Sequence, residues 1–370
     1  MRAADRAHVT GRRLSALGIA PPAGSRGEVT VHDIVRAHGA MQAQDHAGVL
    51  WSVGLRTGHR VEAVEQALAT AEVVRSWPMR GTLHLTAAED AWWMADLLAG
   101  RAIARAATRF RQLELTDEVL GRARELVGEA LVGGRALSRP RLFDLLRDNG
   151  IAPEGQRGIH LLGRLSQVGM LCQGPPDGRQ PTFVLLDEWV PHSLRPSREE
   201  AMATLAERYV RSHGPATERD FAGWTGETLG FARAALGLLG ARLVREQVDG
   251  TEMLSHVESP PPAPRPGVRL LPGFDEYLLG YKDRSAALRP DHAQLTVPGG
   301  NGMFIPTLVA SGEVVGLWRR TTRTRQVDVT VTPFDEPSAR RARAVEGAAA
   351  AYGRFLGLPV RVRWAAPQPH

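Results

Sequence analysis

The feature that most constrains this chain is a recurrence of short elements in a fixed order. In residues 138–185, Ser138-Arg139-Pro140 opens a helix through Leu146, with Ser138 as its cap and Pro140 in the first turn. After Asn149-Gly150, residues 158–168 read as an amphipathic helix with Ile159, Leu162 and Leu165 on one face, ending at Gly169. Met170-Leu171-Cys172 and Thr182-Phe183-Val184-Leu185 then read as strands around the turn Gly174-Pro175-Pro176-Asp177-Gly178. Residues 199–254 repeat the order: a helix at 199–212, a cap at Thr217-Glu218-Arg219-Asp220 before a short helix at 221–224, a third helix at 229–239, and two strands joined by Asp249-Gly250. Residues 31–85 carry a diverged version. Two helices flank a break in 31–55, an amphipathic stretch follows at 61–71, and residues 73–85 look extended. Pro78 has no N–H for a ladder, so this strand pair is broken or lies at an edge. Helices followed by a β-pair outline a winged helix, and three tandem copies are expected.

Ser259-Pro260-Pro261-Pro262-Ala263-Pro264-Arg265-Pro266-Gly267 is a stiff linker of polyproline character. Beyond it, residues 268–271, 304–309, 314–319 and 326–331 read as strands, with Ser311-Gly312-Glu313 as a hairpin turn. A basic amphipathic helix at 338–356 closes this region, and the tail at 365–370 is expected to fray. The expected class is therefore α+β: winged helices at 1–115, 116–196 and 197–258, a linker at 259–267, and a β-rich α/β domain at 268–370.

Of 46 cationic side chains in 370 residues, one is a lysine, Lys282, and 45 are arginines. A phosphate loop of the Walker type is thereby excluded, and a Schiff-base nucleophile has one candidate position. Arginine over lysine follows from a GC-rich genome or suits a phosphate-binding surface, since each guanidinium is a planar, permanently charged fork. The formal charge of +6 and three winged helices point to nucleic acid, while winged helices also serve as protein-interaction modules. One cysteine, Cys172, excludes an internal disulfide and a multi-cysteine zinc site, and a cytoplasmic protein is expected. No run approaches 18 apolar residues and no metal site is legible, so neither a membrane span nor a metal is expected.

Arg319, Arg320, Arg323 and Arg325 interleave with threonines, and residues 323 and 325 share a face if that segment is extended. Arg80, beside Gly81, either approaches a phosphate or pairs with Asp45 or Asp90. Arg101, Arg105, Arg109 and Arg111, and likewise Arg340, Arg341 and Arg343, read as solvated helix faces. Asp275, Glu276, Lys282, Asp283 and Arg284 form either a salt-bridged core or a cleft edge. His84 reads as an interior histidine; Trp77, Trp92, Trp93 and Trp318 read as core before base-stacking platforms.

The polar island Gln42-Ala43-Gln44-Asp45-His46 lies in the break between apolar helices. Two glutamines at i, i+2 oppose one another on a helix but project together from an extended or tightly turned segment. They either tie down loop backbone, with Asp45 capping the next helix, or form a site.

Four segments together resemble the AlkZ-like bacterial DNA glycosylases: Met41-Gln42-Ala43-Gln44-Asp45; the stretch 75–85, Arg-Ser-Trp-Pro-Met-Arg-Gly-Thr-Leu-His-Leu; residues 271–284, opening Leu271-Pro272-Gly273-Phe274-Asp275-Glu276-Tyr277; and Gly312-Glu313-Val314-Val315-Gly316-Leu317-Trp318-Arg319. They occur in the family's order across nearly the whole chain. The resemblance implies tandem winged helices in a C-shaped, concave DNA channel, and excision of N7-alkylated purines with unhooking of interstrand cross-links. It implies Gln42 and Gln44 as the catalytic pair, in the glutamine-spacer-glutamine form of members that protect producers of DNA-alkylating natural products. Arg80, Arg319, Arg320, Arg323 and Arg325 are then the expected DNA contacts, with no cofactor. The expected partner is duplex DNA carrying alkylated or cross-linked purines, met by a monomer in the nucleoid-containing cytoplasm.

The chemistry fits amides. An N7-alkylated purine is already cationic and leaves without a general acid; what remains is to orient water and steady an oxocarbenium-like sugar, which carbonyl oxygens can do. Glutamine is no general base, so normal purines would be spared. A cross-linked base cannot swing freely into a deep pocket, which favours a shallow cleft over full base flipping. The competing reading is a winged-helix regulator or lesion-binding protein that releases no base.

Overall fold

The computed structural model describes residues 2–20, 29–178, 180–263, 267–300 and 302–368. Helix α1 (Ala3–Ala16) precedes α2 (Val31–His38), which opens on a reciprocal cap: the Asp33 N–H donates to Thr30 Oγ1 and the Thr30 N–H donates to the Asp33 carboxylate. The chain continues through strand β1 (Ala40–Gln42), α3 (His46–Thr57) and α4 (Val61–Ala69). Strands β2 (Val73–Met79) and β3 (Thr82–Ala87) pair antiparallel, with the register slipping between Ser76 and Met79. Pro78 thus breaks the ladder locally, in a strand that has hydrogen-bonded neighbours on both sides.

Helices α5 (Ala91–Gln112) and α6 (Asp117–Leu131) lead to β4 (Leu137–Ser138), α7 (Arg139–Asp148) and α8 (Arg157–Gln167). Strands β5 (Leu171–Asp177) and β6 (Gln180–Leu185) form the expected hairpin, followed by α9 (Leu186–Trp189). Next come α10 (Arg198–His213), α11 (Glu218–Thr225) and α12 (Leu229–Gly237), with Thr217 and Asp220 capping α11 reciprocally. Strands β7 (Leu243–Val248) and β8 (Thr251–His256) turn at Asp249 and Gly250, whose φ angles of 50° and 75° are those a two-residue hairpin turn requires. The final part holds β9 (Val268–Leu271), α13 (Glu276–Leu279), α14 (Ala293–Thr296), β10 (Thr307–Ala310), β11 (Glu313–Thr322), β12 (Val327–Pro333), α15 (Ala339–Leu356) and β13 (Val360–Trp364). The class is α+β, as expected. Residues 264–266 of the proline-rich linker and 369–370 of the tail lie outside the described residues.

The described residues group into two compact units. One comprises 65–204 with 225–228. Its strands are hydrogen-bonded in the order β3-β2-β5-β6-β4, and its larger core joins Phe110, Val127, Leu131, Leu142, Leu161 and Leu165 from four helices. The other unit comprises 1–64, 205–224 and 229–370, and carries a five-stranded sheet in the order β13-β12-β11-β10-β9, antiparallel except for β12 with β13. Trp51 of α3 packs edge-on against Tyr352 of α15 at 5.0 Å between ring centroids, and its indole N–H donates to the Leu270 carbonyl at 2.7 Å. Gly54 permits this approach, because a Cβ there would stand 2.4 Å from the Phe355 ring. Burial of this kind ties α3 to the sheet, worth about 3–5 kcal/mol for a tryptophan truncated to alanine. Among the described residues no helix is long and apolar enough to cross a membrane.

Candidate active site

Helix α2 ends at Gly39, whose φ of 74° turns the chain into β1. Strand β1 is buried along its length, with Gln42 at its end 8% exposed; Ala43 is buried as well, and the chain reaches the surface at the exposed Gln44. As an extended backbone requires, the two side chains come together, and Gln42 Nε2 donates to Gln44 Oε1 at 2.7 Å. That contact uses the Gln42 amide nitrogen and leaves its carbonyl oxygen facing the other way. Among the described residues this buried oxygen has no hydrogen-bond partner. A buried acceptor left bare in a folded protein is uncommon.

Asp45 caps α3, accepting the Gly48 N–H at 3.0 Å, and Gly48 leaves room for it, since a Cβ there would stand 2.6 Å from the carboxylate. Both oxygens of Asp45 also accept from one terminal nitrogen of Arg320, at 2.7 and 2.9 Å. Arg320, expected at phosphate, therefore spends that nitrogen on the loop that carries Gln44. The pair is part-buried, with 19% of the Arg320 side chain and 31% of the Asp45 side chain exposed.

Beneath the loop lie carboxylates that sequence reasoning assigned to a core or a cleft edge. Asp275 accepts from Arg56 at 2.9 and 3.0 Å, from Ser52 at 2.7 Å and from the Tyr277 N–H at 3.0 Å. Burial alone would raise its carboxyl, but Arg56 and the hydrogen bonds outweigh it and hold Asp275 below the usual carboxylate range. Glu276, 1% exposed, accepts the backbone N–H of Gln42 at 3.3 Å and the Trp224 indole N–H at 3.0 Å. Its carboxylate is thus coupled to the glutamine loop. His38, at the end of α2, is pushed down to about 3 by burial and by the nearby Arg56 and His213, so it stays neutral.

The arginine cluster differs from the sequence expectation in one respect. Residues 323–326 are not extended. The Arg323 N–H donates to the Gln326 carbonyl at 2.9 Å and closes a turn between β11 and β12, so Arg323 and Arg325 do not alternate on a strand face. Arg323 donates to Asp328 at 3.3 Å, as does Arg363, and Gln326 adds a bond of 2.8 Å. Burial opposes the charge on Asp328, yet these donors hold its carboxyl below the usual range. Arg319 and Arg325 are exposed. In the other unit, Arg80 occupies the turn between β2 and β3 with φ of 57° and donates to His84 Nε2 at 2.9 Å. His84, fully buried, donates from Nδ1 to the Thr82 carbonyl and is held neutral by burial and by Arg80, the interior histidine that was expected. Trp318 is core, donating to the Leu271 carbonyl, while Trp77 stacks on Phe183. Lys282 is exposed, its backbone N–H given to Asp220. Among the described residues no group of three or more His, Cys, Asp or Glu is arranged to hold a metal ion.

The sequence matches the family described as DNA glycosylase AlkZ-like over residues 35–355, most of the chain. It belongs to that family. Among curated proteins it is similar to the interstrand DNA cross-link repair glycosylase of Streptomyces sahachiroi, 31% identical over 91% of this chain and 94% of that one. Among solved structures it is similar to the Streptomyces sahachiroi DNA glycosylase AlkZ, with a TM-score of 0.79 and 28% identity over 98% of this chain and all of the other. The resemblance carried by four sequence segments is thus a whole-chain relationship. The protein is a DNA glycosylase of the AlkZ-like family, and the glutamine loop lies within the matched residues.

Proposed function

We propose that this AlkZ-like glycosylase hydrolyses the bond between deoxyribose and an N7-alkylated purine, including purines joined across strands, and leaves an abasic site. The observation that carries this reading is the bare, buried carbonyl oxygen of Gln42 beside an exposed Gln44. With its nitrogen held by Gln44, the Gln42 oxygen is oriented to accept a hydrogen bond from water and to face the positive charge that grows on the sugar. No proton needs to reach the cationic base. Gln44 contributes from the solvent side, and Arg320 through Asp45 keeps the loop in register with β11. The relative's description as a cross-link repair glycosylase supports extending the substrate to interstrand cross-links, and self-resistance to a DNA-alkylating compound is the biological role proposed with it.

Phosphate contacts are assigned first to the exposed Arg319 and Arg325, then to Arg80, Arg320 and Arg323, whose guanidiniums also hold His84, Asp45 and Asp328. Winged-helix units at 1–115, 116–196 and 197–258 would grip the duplex as a monomer. Water remains the nucleophile, which makes the enzyme monofunctional. The test uses duplex containing N7-methylguanine, incubated with enzyme and then alkali. Strand scission by wild type, lost in Gln42→Ala and reduced in Gln44→Ala, supports the reading. Full scission by both variants overturns the assignment, and wild-type binding without any scission favours a lesion-binding protein instead.

A further inference from the structure

We propose that Glu276 is a positioning residue for Gln42, an inference that rests on the glycosylase reading above. Gln42 is held at two points. Its side-chain nitrogen is held by Gln44 Oε1 at 2.7 Å, and its backbone nitrogen donates to Glu276 Oε1 at 3.3 Å. Of the two polar atoms of the carboxamide, the oxygen is the one without a hydrogen-bond partner among the described residues. Fixing the backbone nitrogen sets the direction in which the side chain leaves the strand, and fixing the amide nitrogen sets the rotation of the carboxamide, so together the contacts aim the oxygen.

Glu276 is itself held. Its second oxygen accepts the Trp224 indole N–H at 3.0 Å and lies 3.3 Å from His213 Nε2, and His213 Nδ1 lies 2.7 Å from Ser212 Oγ. Trp224 and His213 are buried among Tyr209 and Phe221, with Tyr209 stacked on His213 at 4.6 Å between centroids. Glu276 opens α13, and Asp275 before it caps that helix and takes Arg56 of α3. The two neighbouring carboxylates thus grip both sides of the glutamine loop: Glu276 holds the strand that delivers Gln42, and Asp275 holds the helix that follows Gln44. A core acid would have no need to reach a strand's peptide N–H 234 positions earlier in sequence. An acid that must keep one carbonyl oxygen aimed to a fraction of an ångström does.

The experiment measures single-turnover base release from N7-methylguanine duplex, DNA affinity and thermal unfolding for wild type, Glu276→Gln, Gln42→Ala and the double variant. Glu276→Gln keeps an acceptor for the Gln42 N–H only if its amide nitrogen is turned against the Trp224 donor. It is expected to lower the release rate about ten- to hundredfold while affinity stays within about twofold. In the Gln42→Ala background the same change is expected to cost less than about threefold, because the residue acts through Gln42. Wild-type release by a folded Glu276→Gln, or a full, additive loss on top of Gln42→Ala, overturns the proposal. Should Glu276→Gln fail to fold, Trp224→Phe removes one donor while keeping carboxylate and ring. A threefold or greater rate loss (of order ~0.7 kcal/mol) at unchanged affinity supports positioning, and an unchanged rate overturns it. No release by wild type, or undiminished release by Gln42→Ala, would instead refute the glycosylase reading itself.

Discussion

Two places in this molecule carry the same sequence device, a pair of like polar residues at i, i+2, and they end in different structures. Gln42 and Gln44 sit where a buried strand surfaces, and their amides join at 2.7 Å. Arg323 and Arg325 sit at the tip of a hairpin, where a turn separates them, sending Arg323 to Asp328 and leaving Arg325 in solvent. Spacing alone does not decide whether two side chains act together. The backbone beneath them does, and under Gln42 that backbone is clamped by Glu276 and by the capped helix α3, whereas the arginine turn rests on one carboxylate. The difference matches the roles proposed for them: aiming one oxygen demands fixed neighbours, while a phosphate contact does not.

The largest effect expected from breaking the clamped side is on folding. Asp275→Ala strands the buried Arg56 guanidinium and should cost about 3–5 kcal/mol, measured by denaturant unfolding; a loss below about 1 kcal/mol would show that the loop does not depend on this pair. Gln44→Ala should slow base release about tenfold or more by freeing the Gln42 amide, without moving the unfolding midpoint. The buried histidines give a pH signature. His38 is held down to about 3 and His84 is also held neutral, so below about pH 6.5 the unfolded chain takes up protons that the folded chain refuses. Stability is therefore complete above that pH and falls on acidification towards 3, at up to about 1.4 kcal/mol per pH unit for each group. His38→Gln should flatten the slope in unfolding measured between pH 7 and 4, and an unchanged slope would contradict neutrality at His38. Asp45→Ala removes a cap and should cost about 1 kcal/mol in the same assay. On the arginine side the smallest effect is expected: Arg325→Ala should leave the single-turnover rate intact and reduce the salt slope of DNA binding by about one. A rate loss there would erase the distinction between the two regions.

Much of the frame was legible in sequence because its signals are local. The Asp249-Gly250 hairpin, the Ser338 cap of α15 and the helix that starts at Arg139 all depend on residues within a few positions of one another. The strand Val360–Trp364 and the helix Asp117–Leu131 carry weak local signals: the first alternates valine with arginine at an edge position, and the second has an apolar stripe thinned by glycines. The glutamine pair was legible as a polar island. Its supports were not, because they come from far along the chain: Arg320 meets Asp45 across 275 positions, and Arg56 meets Asp275 across 219. No periodicity indicates which of 45 arginines will be buried on a carboxylate. The arginine turn misled for a related reason, since a strand pattern of alternating polar residues also fits a hairpin tip.

The catalytic role proposed for Gln42 is tested most directly by single-turnover release of N7-methylguanine by Gln42→Ala at saturating enzyme. If Gln42 carries the catalysis, the rate falls below wild type by about 10²–10³-fold, with duplex affinity and the unfolding midpoint unchanged. A folded Gln42→Ala that releases the base at the wild-type rate would contradict it.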